Sequence, residues 1–118
     1  MKASITPAMF HVLLALAGGE RHGYAIMLEV EELTGGKVKL GPATLYRSIR
    51  QLGEAGLIEE TGERPDPLLD DERRRYYRLT SAGAELAAQE AARLSDLVKV
   101  ARKRGLLGGR TAPQGSAS

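Results

Sequence analysis

Residues 42–61 read PATLYRSIRQLGEAGLIEET, and their punctuation decides the fold. Pro42 suits the first position of a helix, where a missing N–H costs nothing. Leu45, Ile49 and Leu52 then recur at i, i+4 and i+7, which predicts one apolar helix face from Pro42 to about Ala55. Gly56 fits the left-handed residue that follows a helix. Leu57 to Thr61 reads as a short strand. At about 100° per residue, Ala43, Arg47, Arg50 and Glu54 point away from the apolar stripe, flanked by Thr44, Tyr46 and Gln51.

Outward from this stretch, the rest of the chain falls into place. Arg73 to Leu79 alternates and reads as the returning strand of a hairpin. The loop between the strands holds Pro65, Pro67 and the acids Asp66, Asp70, Asp71 and Glu72. Upstream, Thr6 is a candidate N-cap and Pro7 the first residue of a helix. Ile5 can staple to Phe10, and Phe10, Leu13, Leu14 and Ala17 recur at helical spacing before Gly18-Gly19. A second helix is expected from His22 to Thr34, with Ile26, Val30 and Leu33 on one face and Gly35-Gly36 as its stop. After the hairpin, Thr80 caps a long helix that runs to about Arg104 and closes at Gly105. Its stripe is Ala84, Ala87, Ala91, Leu94, Val98 and Ala101, with Leu97 at the border.

The predicted order is helix, helix, helix, hairpin, long helix: a mainly α chain with a small β-hairpin wing, the pattern of a winged helix-turn-helix. Residues 1–80 form that domain, residues 81–105 a C-terminal helix and residues 106–118 a disordered tail. The tail from Gly108 has too little apolar surface to offset its ordering entropy.

Composition narrows the classes. The 118 residues and 12.7 kDa suit one domain with one core. The chain has no Cys, which removes disulfides, thiolate metal sites and cysteine nucleophiles together. Its two His residues lack cysteine partners, so no metal and no cofactor are expected. No apolar run approaches the roughly 20 residues of a membrane span, and Met1-Lys2-Ala3-Ser4 leads straight into an amphipathic segment; a cytoplasmic protein is expected. No phosphate-binding glycine motif and no plausible Ser/His pairing occurs, so the chain reads as a non-enzyme.

The net charge of +2 says little about partners, but charge is segregated along the chain. Residues 37–51 hold Lys37, Lys39, Arg47 and Arg50 and no acid. Residues 52–63 hold Glu54, Glu59, Glu60 and Glu63 and no base. Arg73, Arg74, Arg75 and Arg78 form a second basic block. Two basic segments that converge on one face suit a polyanion.

Four short motifs stand in order: His22-Gly23-Tyr24, Thr44-Leu45-Tyr46, Leu52-x-x-x-Gly56-Leu57-Ile58 and Arg75-Tyr76-Tyr77-Arg78-Leu79-Thr80-x-x-Gly83. Together they resemble the PadR family of bacterial transcriptional regulators, from residue 5 to about 104, in its short form with a single C-terminal helix. The resemblance implies a homodimer on double-stranded DNA, with the third helix in the major groove and the wing on the backbone or minor groove. It also implies repression of a palindromic operator and release by a small-molecule effector.

Arg47 and Arg50 suit guanine edges and Gln51 suits adenine. Thr44, Tyr46 and the helix start at Pro42 and Ala43 suit phosphate oxygens. Lys39, Arg74 and Arg75 are assigned to phosphates, and Arg73 belongs with them at the base of the wing. The acidic wing tip is a poor minor-groove probe. Tyr24 reads two ways: the resemblance brings it to the DNA backbone, while the plainer reading packs it on the third helix. Tyr77 shares a strand face with Leu79 and is assigned inward. His22 reads as an N-cap-side polar residue, and His11 as a surface or satisfied histidine.

The dimer is assigned to Ala87, Ala91, Leu94, Leu97, Val98 and Ala101 of the last helix, with Phe10 and Leu14 of the first. Without Trp, and with an aliphatic stripe, any effector pocket there is expected to be small. Two rival classes stand beside the regulator: a winged-helix module that binds protein rather than DNA, and an enzyme, which would need a convergent polar pocket.

Overall fold

A computed structural model describes residues 5–65 and 73–107, the Arg73 side chain excepted. The acids Asp66, Asp70, Asp71 and Glu72 of the wing tip, and the tail from Gly108, lie outside the described residues. The chain divides into two compact units, residues up to Ala87 and residues from Ala88.

The first helix, α1 (Pro7–Ala17), starts where Thr6 and Pro7 place it, the Thr6 hydroxyl accepting from Met9 N at 3.1 Å. Its buried face is Met9, Val12, Leu13 and Leu16, with Ala15 beside them. Of the stripe expected from sequence, only Leu13 is buried; Phe10 is half-buried, and Leu14 and Ala17 are exposed. The reason is that α1 is apolar almost all round. Such a helix has no polar face to fix its rotation, so only packing against α2, α3 and the sheet decides which side goes in.

A two-residue strand, β1 (Arg21–His22), follows, then α2 (Gly23–Leu33). Nδ1 of His22 accepts from Ala25 N at 3.1 Å and so caps α2. Ile26 and Val30 are fully buried, while Leu33 is 52% exposed at the C-terminal end of α2, outside the face expected for it. Gly35 and Gly36 take the positive φ values, 63° and 82°, that stop the helix.

Helix α3 (Pro42–Glu54) matches its predicted phase: Leu45, Ile49 and Leu52 are buried, with Ser48. Gly56 has φ 77° just past its end, as the turn out of the helix requires. The hairpin is β2 (Ile58–Pro65) and β3 (Arg73–Leu79), so the first strand runs four residues beyond its predicted end. The sheet has three strands in the order β1-β3-β2, all antiparallel. Strand β1 was not legible because two residues cannot display an alternation. Its register sets Arg21 against Tyr77 and His22 against Tyr76.

Between Glu60 and Gly62 the β2–β3 ladder shifts, so Thr61 is an extra residue in a bulge. Beyond it, Gly62 faces Tyr76, Glu63 faces Arg75 and Arg64 faces Arg74. Tyr77 and Leu79 pack against the core, as the parity assignment required.

The last helix, α4 (Ser81–Lys103), is capped by Thr80, whose hydroxyl accepts from Gly83 N at 3.0 Å and donates to Gly56 O at 2.7 Å. Gly83 is buried against Leu57: a Cβ there would overlap the Leu57 carbonyl. Ala87 joins the core. Of the other stripe residues, Leu94 and Ala101 are half-buried, and Ala84, Ala91, Leu97 and Val98 are exposed. Among the described residues, no helix is long and apolar enough to cross a membrane.

Candidate nucleic-acid interface

The inward face of α3 fixes what its outer face offers. With Leu45, Ser48, Ile49 and Leu52 buried, Pro42, Ala43, Tyr46, Arg47, Arg50 and Gln51 are exposed and Thr44 is half-buried. Arg47 and Arg50 form no ion pair with any described residue. Both residues are therefore exposed with no acid among the described residues to displace. Gly41 at the N-cap supplies no side-chain bond, so the first turn of α3 presents its N–H groups outward.

Tyr46 is less free than the sequence implied. Its ring lies across the start of α2, where a Cβ on Gly23 would meet the Tyr46 hydroxyl and sit 2.9 Å from Cζ. Gly23 thus provides the seat for Tyr46, and the ring spaces α3 from the start of α2. Next to that seat Tyr24 is 42% exposed, and the Arg74 guanidinium carbon lies 5.9 Å from its ring centroid. Tyr24 is thus partly exposed, with Arg74 of β3 beside its ring.

The wing arginines divide by strand face. Arg75 and Tyr77 point to the α3 side, where a groove of about 350 Å³ is lined by Tyr46, Ile49, Arg50, Glu60, Arg75 and Tyr77. Arg75 is shared between Glu63 at 3.5 Å and Glu60 at 3.9 Å. Burial raises the Tyr77 phenol above its ordinary 10.0, with the Glu60 charge adding to it. Arg74, Tyr76 and Arg78 take the opposite face, where Arg78 donates to Glu59 at 2.6 Å. Lys39 lies 3.7 Å from Glu31 with its side chain 73% exposed. Such exposed pairs are worth only about 0–1 kcal/mol and yield readily to a phosphate.

The structure thus brings Arg50 and Arg75 to one groove, with Tyr46 in its lining, while Arg47 stands on the exposed face of α3 outside that lining. It sets Tyr24 and Arg74 beside each other on a neighbouring face. Lys39 stands in the segment that leads into α3, and the Arg73 side chain lies outside the described residues.

Three residues that sequence reading passed over form a further cluster. Glu20 accepts from Thr61 and from Arg64, and the Arg64 guanidinium carbon lies 4.0 Å from the Tyr76 ring centroid. Hydrogen bonds from Arg64 and then Thr61 hold the Glu20 carboxyl below its ordinary 4.5. The available signal was Gly62 inside a strand pattern, which often marks a bulge.

His11 is satisfied by Pro7 O at 2.7 Å from Nδ1. No three His, Asp or Glu side chains converge on a metal-sized site among the described residues.

Comparison with known proteins follows the same outline. The profile described as the transcriptional regulator PadR-like family matches residues 12–89, from α1 through the hairpin into α4. An uncharacterized 37.1 kDa protein in transposon TN4556 of Streptomyces fradiae is 40% identical over 94 residues, which is 77% of this chain. This chain spans about a quarter of that protein's length, 25%. A transcriptional regulator from Clostridium thermocellum superposes with a TM-score of 0.67 at 25% identity, over 80% of this chain and 89% of that one. A PadR family transcription regulator from Clostridium difficile gives 0.70 at 20% identity, over 83% and 97%.

Proposed function

Since the chain belongs to the PadR-like family of transcriptional regulators, DNA-binding proteins rather than enzymes, we propose that it is a repressor that binds a two-fold symmetric operator as a homodimer. The observation that carries the reading is the outer face of α3, where Arg47 and Arg50 stand exposed and unpaired among the described residues.

In this reading α3 enters the major groove. Arg47 or Arg50 reads a guanine, Gln51 reads an adjacent base, and Thr44 with the first-turn N–H groups holds a phosphate. Tyr46, its tip seated on Gly23, serves as a spacer more than as a donor. Arg75 exchanges its carboxylate partners for a phosphate, and Lys39, Arg73, Arg74 and Tyr24 add backbone contacts. The dimer is supplied by α4, where Leu97, Val98 and Val100 are 53%, 42% and 47% exposed. Phe10 and Leu14 of α1 form a second apolar patch. An exposed apolar surface of this kind marks a partner surface, and an isologous pairing uses it twice. Release by a small molecule bound at the dimer completes the proposal.

The test is selection from random duplex DNA. A symmetric motif with half-site centres about one helical turn, roughly 10 base pairs, apart supports the reading. Recovery of no motif, with retention on DNA that is independent of sequence, refutes it. A chain that ignores DNA at low salt is instead a protein-binding winged helix. For the dimer, Val98→Glu should sediment as a monomer at micromolar concentration; a persistent dimer refutes the assignment to α4.

A further inference from the structure

The geometry points to Glu20 as a positioning residue for the wing: its carboxylate clamps the β2 end of the hairpin to the loop before β1, and so sets where Arg74 and Tyr24 stand toward DNA. The inference rests on the DNA-binding reading above and adds to it a residue outside the contact surface.

The hairpin carries an internal conflict. Arg64 lies directly opposite Arg74 in the β2–β3 register. Like charges in that position repel and would push the two guanidiniums apart without direction. The surrounding residues give the repulsion an outcome. The Thr61 bulge brings an extra side chain into β2, and Gly62 stands opposite Tyr76 with no side chain of its own. The Arg64 guanidinium uses that gap and lies over the Tyr76 ring, 4.0 Å from its centroid. Glu20 reaches across β3 and accepts from both Thr61 and Arg64, while Arg64 also donates to Thr61 at 2.9 Å.

The far side of the cluster ends on α2. Tyr76 meets the His22 ring edge-on, centroids 5.2 Å apart, and His22 is the N-cap of α2. The clamp therefore joins the wing, through Glu20, Arg64, Tyr76 and His22, to the helix start that carries Tyr24. With Arg64 drawn to Glu20, Arg74 is left on the Tyr24 side. Because an acid holds Arg64, that arginine is a structural element of the wing and not one of its phosphate contacts.

The experiment uses the full chain and four forms: parent, Glu20→Ala, Glu20→Arg and the swap Glu20→Arg/Arg64→Glu. Amide hydrogen exchange on the free protein reads the clamp without DNA. Glu20→Ala should speed exchange in residues 60–65 and 73–76 and leave α3 unchanged. Affinity for the selected operator should fall about threefold, the size of an exposed ion pair's contribution, with base preference intact. Hydroxyl-radical protection under the wing should weaken while protection under α3 stays. The swap should recover most of both losses, because the pair is restored with its ends exchanged.

If Glu20→Ala and Glu20→Arg leave wing exchange as in the parent, the clamp is overturned. If the swap restores exchange but not affinity, Arg64 itself contacts DNA and the positioning role is overturned. If the parent binds no duplex specifically, the DNA reading fails, and the positioning role fails with it.

Discussion

Replacing Gly83 by Ala tests the joint between the wing base and α4. An added Cβ would overlap the Leu57 carbonyl oxygen and sit 2.9 Å from its carbon. Both partners are backbone, so neither can swing aside as a side chain would. Leu57 and Ile58 are buried at 8% and 3% exposure, which blocks retreat on that side. The first turn of α4 must move instead. Three bonds depend on its place: Thr80 N to Leu57 O at 3.1 Å, the Thr80 hydroxyl to Gly56 O at 2.7 Å, and Gly83 N to that hydroxyl at 3.0 Å. At about 1 kcal/mol for each bond or cap lost, the cost is about 3 kcal/mol. Urea unfolding followed by circular dichroism, at fixed protomer concentration, should show a midpoint lower by roughly 2–3 M for a slope near 1 kcal/mol per M. Gly53→Ala is the contrast. Gly53 lies in α3 with nothing within 4 Å of an added Cβ, so the substitution should stabilise by about 0.5–1 kcal/mol. A Gly83→Ala midpoint within about 0.5 M of the parent would refute the close-approach argument.

Gly23→Ala should push Tyr46 off its seat, cost about 1 kcal/mol as a small overpacking, and weaken operator binding; unchanged unfolding and unchanged affinity together would show that the seat has no role. Arg47→Ala or Arg50→Ala should cost about 1–3 kcal/mol of operator affinity and relax one base position per half-site, whereas Arg75→Ala should weaken all duplexes alike and lower the salt slope by about one; sequence preference that survives both α3 changes contradicts the division. Stability should fall at both ends of the pH range. Arg64 and Arg93 hold Glu20 and Glu90 below the ordinary 4.5, so that stabilisation is complete above this value and is lost as pH falls through the lower folded values. The raised Tyr77 phenol adds stability that is present below 10.0 and lost as pH climbs through its folded value. Thermal melts from acid to alkali check both arms, and an acid limb no steeper than that of a Glu20→Ala/Glu90→Ala double variant contradicts the first.

The sequence was most legible where one physical requirement acted alone. Leu45, Ile49 and Leu52 stand on a helix whose other side is polar, so its rotation could only be one way. Thr6-Pro7 and Thr80 announced their helices because hydroxyl caps and an N1 proline have a single local use. Helix α1 has apolar residues on every side, and its buried face was set by neighbours that no local pattern reveals. Leu33 shows the same failure at a helix end: the spacing continued, but the core did not. Strand β1 and the Thr61 bulge are products of pairing, and pairing is a property of β3 as much as of the residues concerned. The site followed the same rule. The exposure of Arg47 and Arg50 could be read from α3 alone. That Arg75 is shared by Glu60 and Glu63, and that Tyr46 ends on Gly23, required the strand register and the α2–α3 packing.

That difference bears on how the surface divides its work. On the wing, Arg75 and Arg78 each have a carboxylate within reach. A phosphate that binds there replaces an existing partner, so the gain per contact is reduced by the pair it displaces, about 0.2–1 kcal/mol for exposed pairs. On α3, Arg47 and Arg50 have no such competitor among the described residues. A base edge that meets them displaces only water, and the full directional bond contributes to the choice of sequence. In the proposed reading, the acids interleaved along the hairpin hold down its general attraction to any duplex and leave discrimination to α3. A wing stripped of Glu60 and Glu63 would carry the same arginines and bind DNA more tightly, but the added affinity would go to every sequence, and the regulator would choose its operator less well.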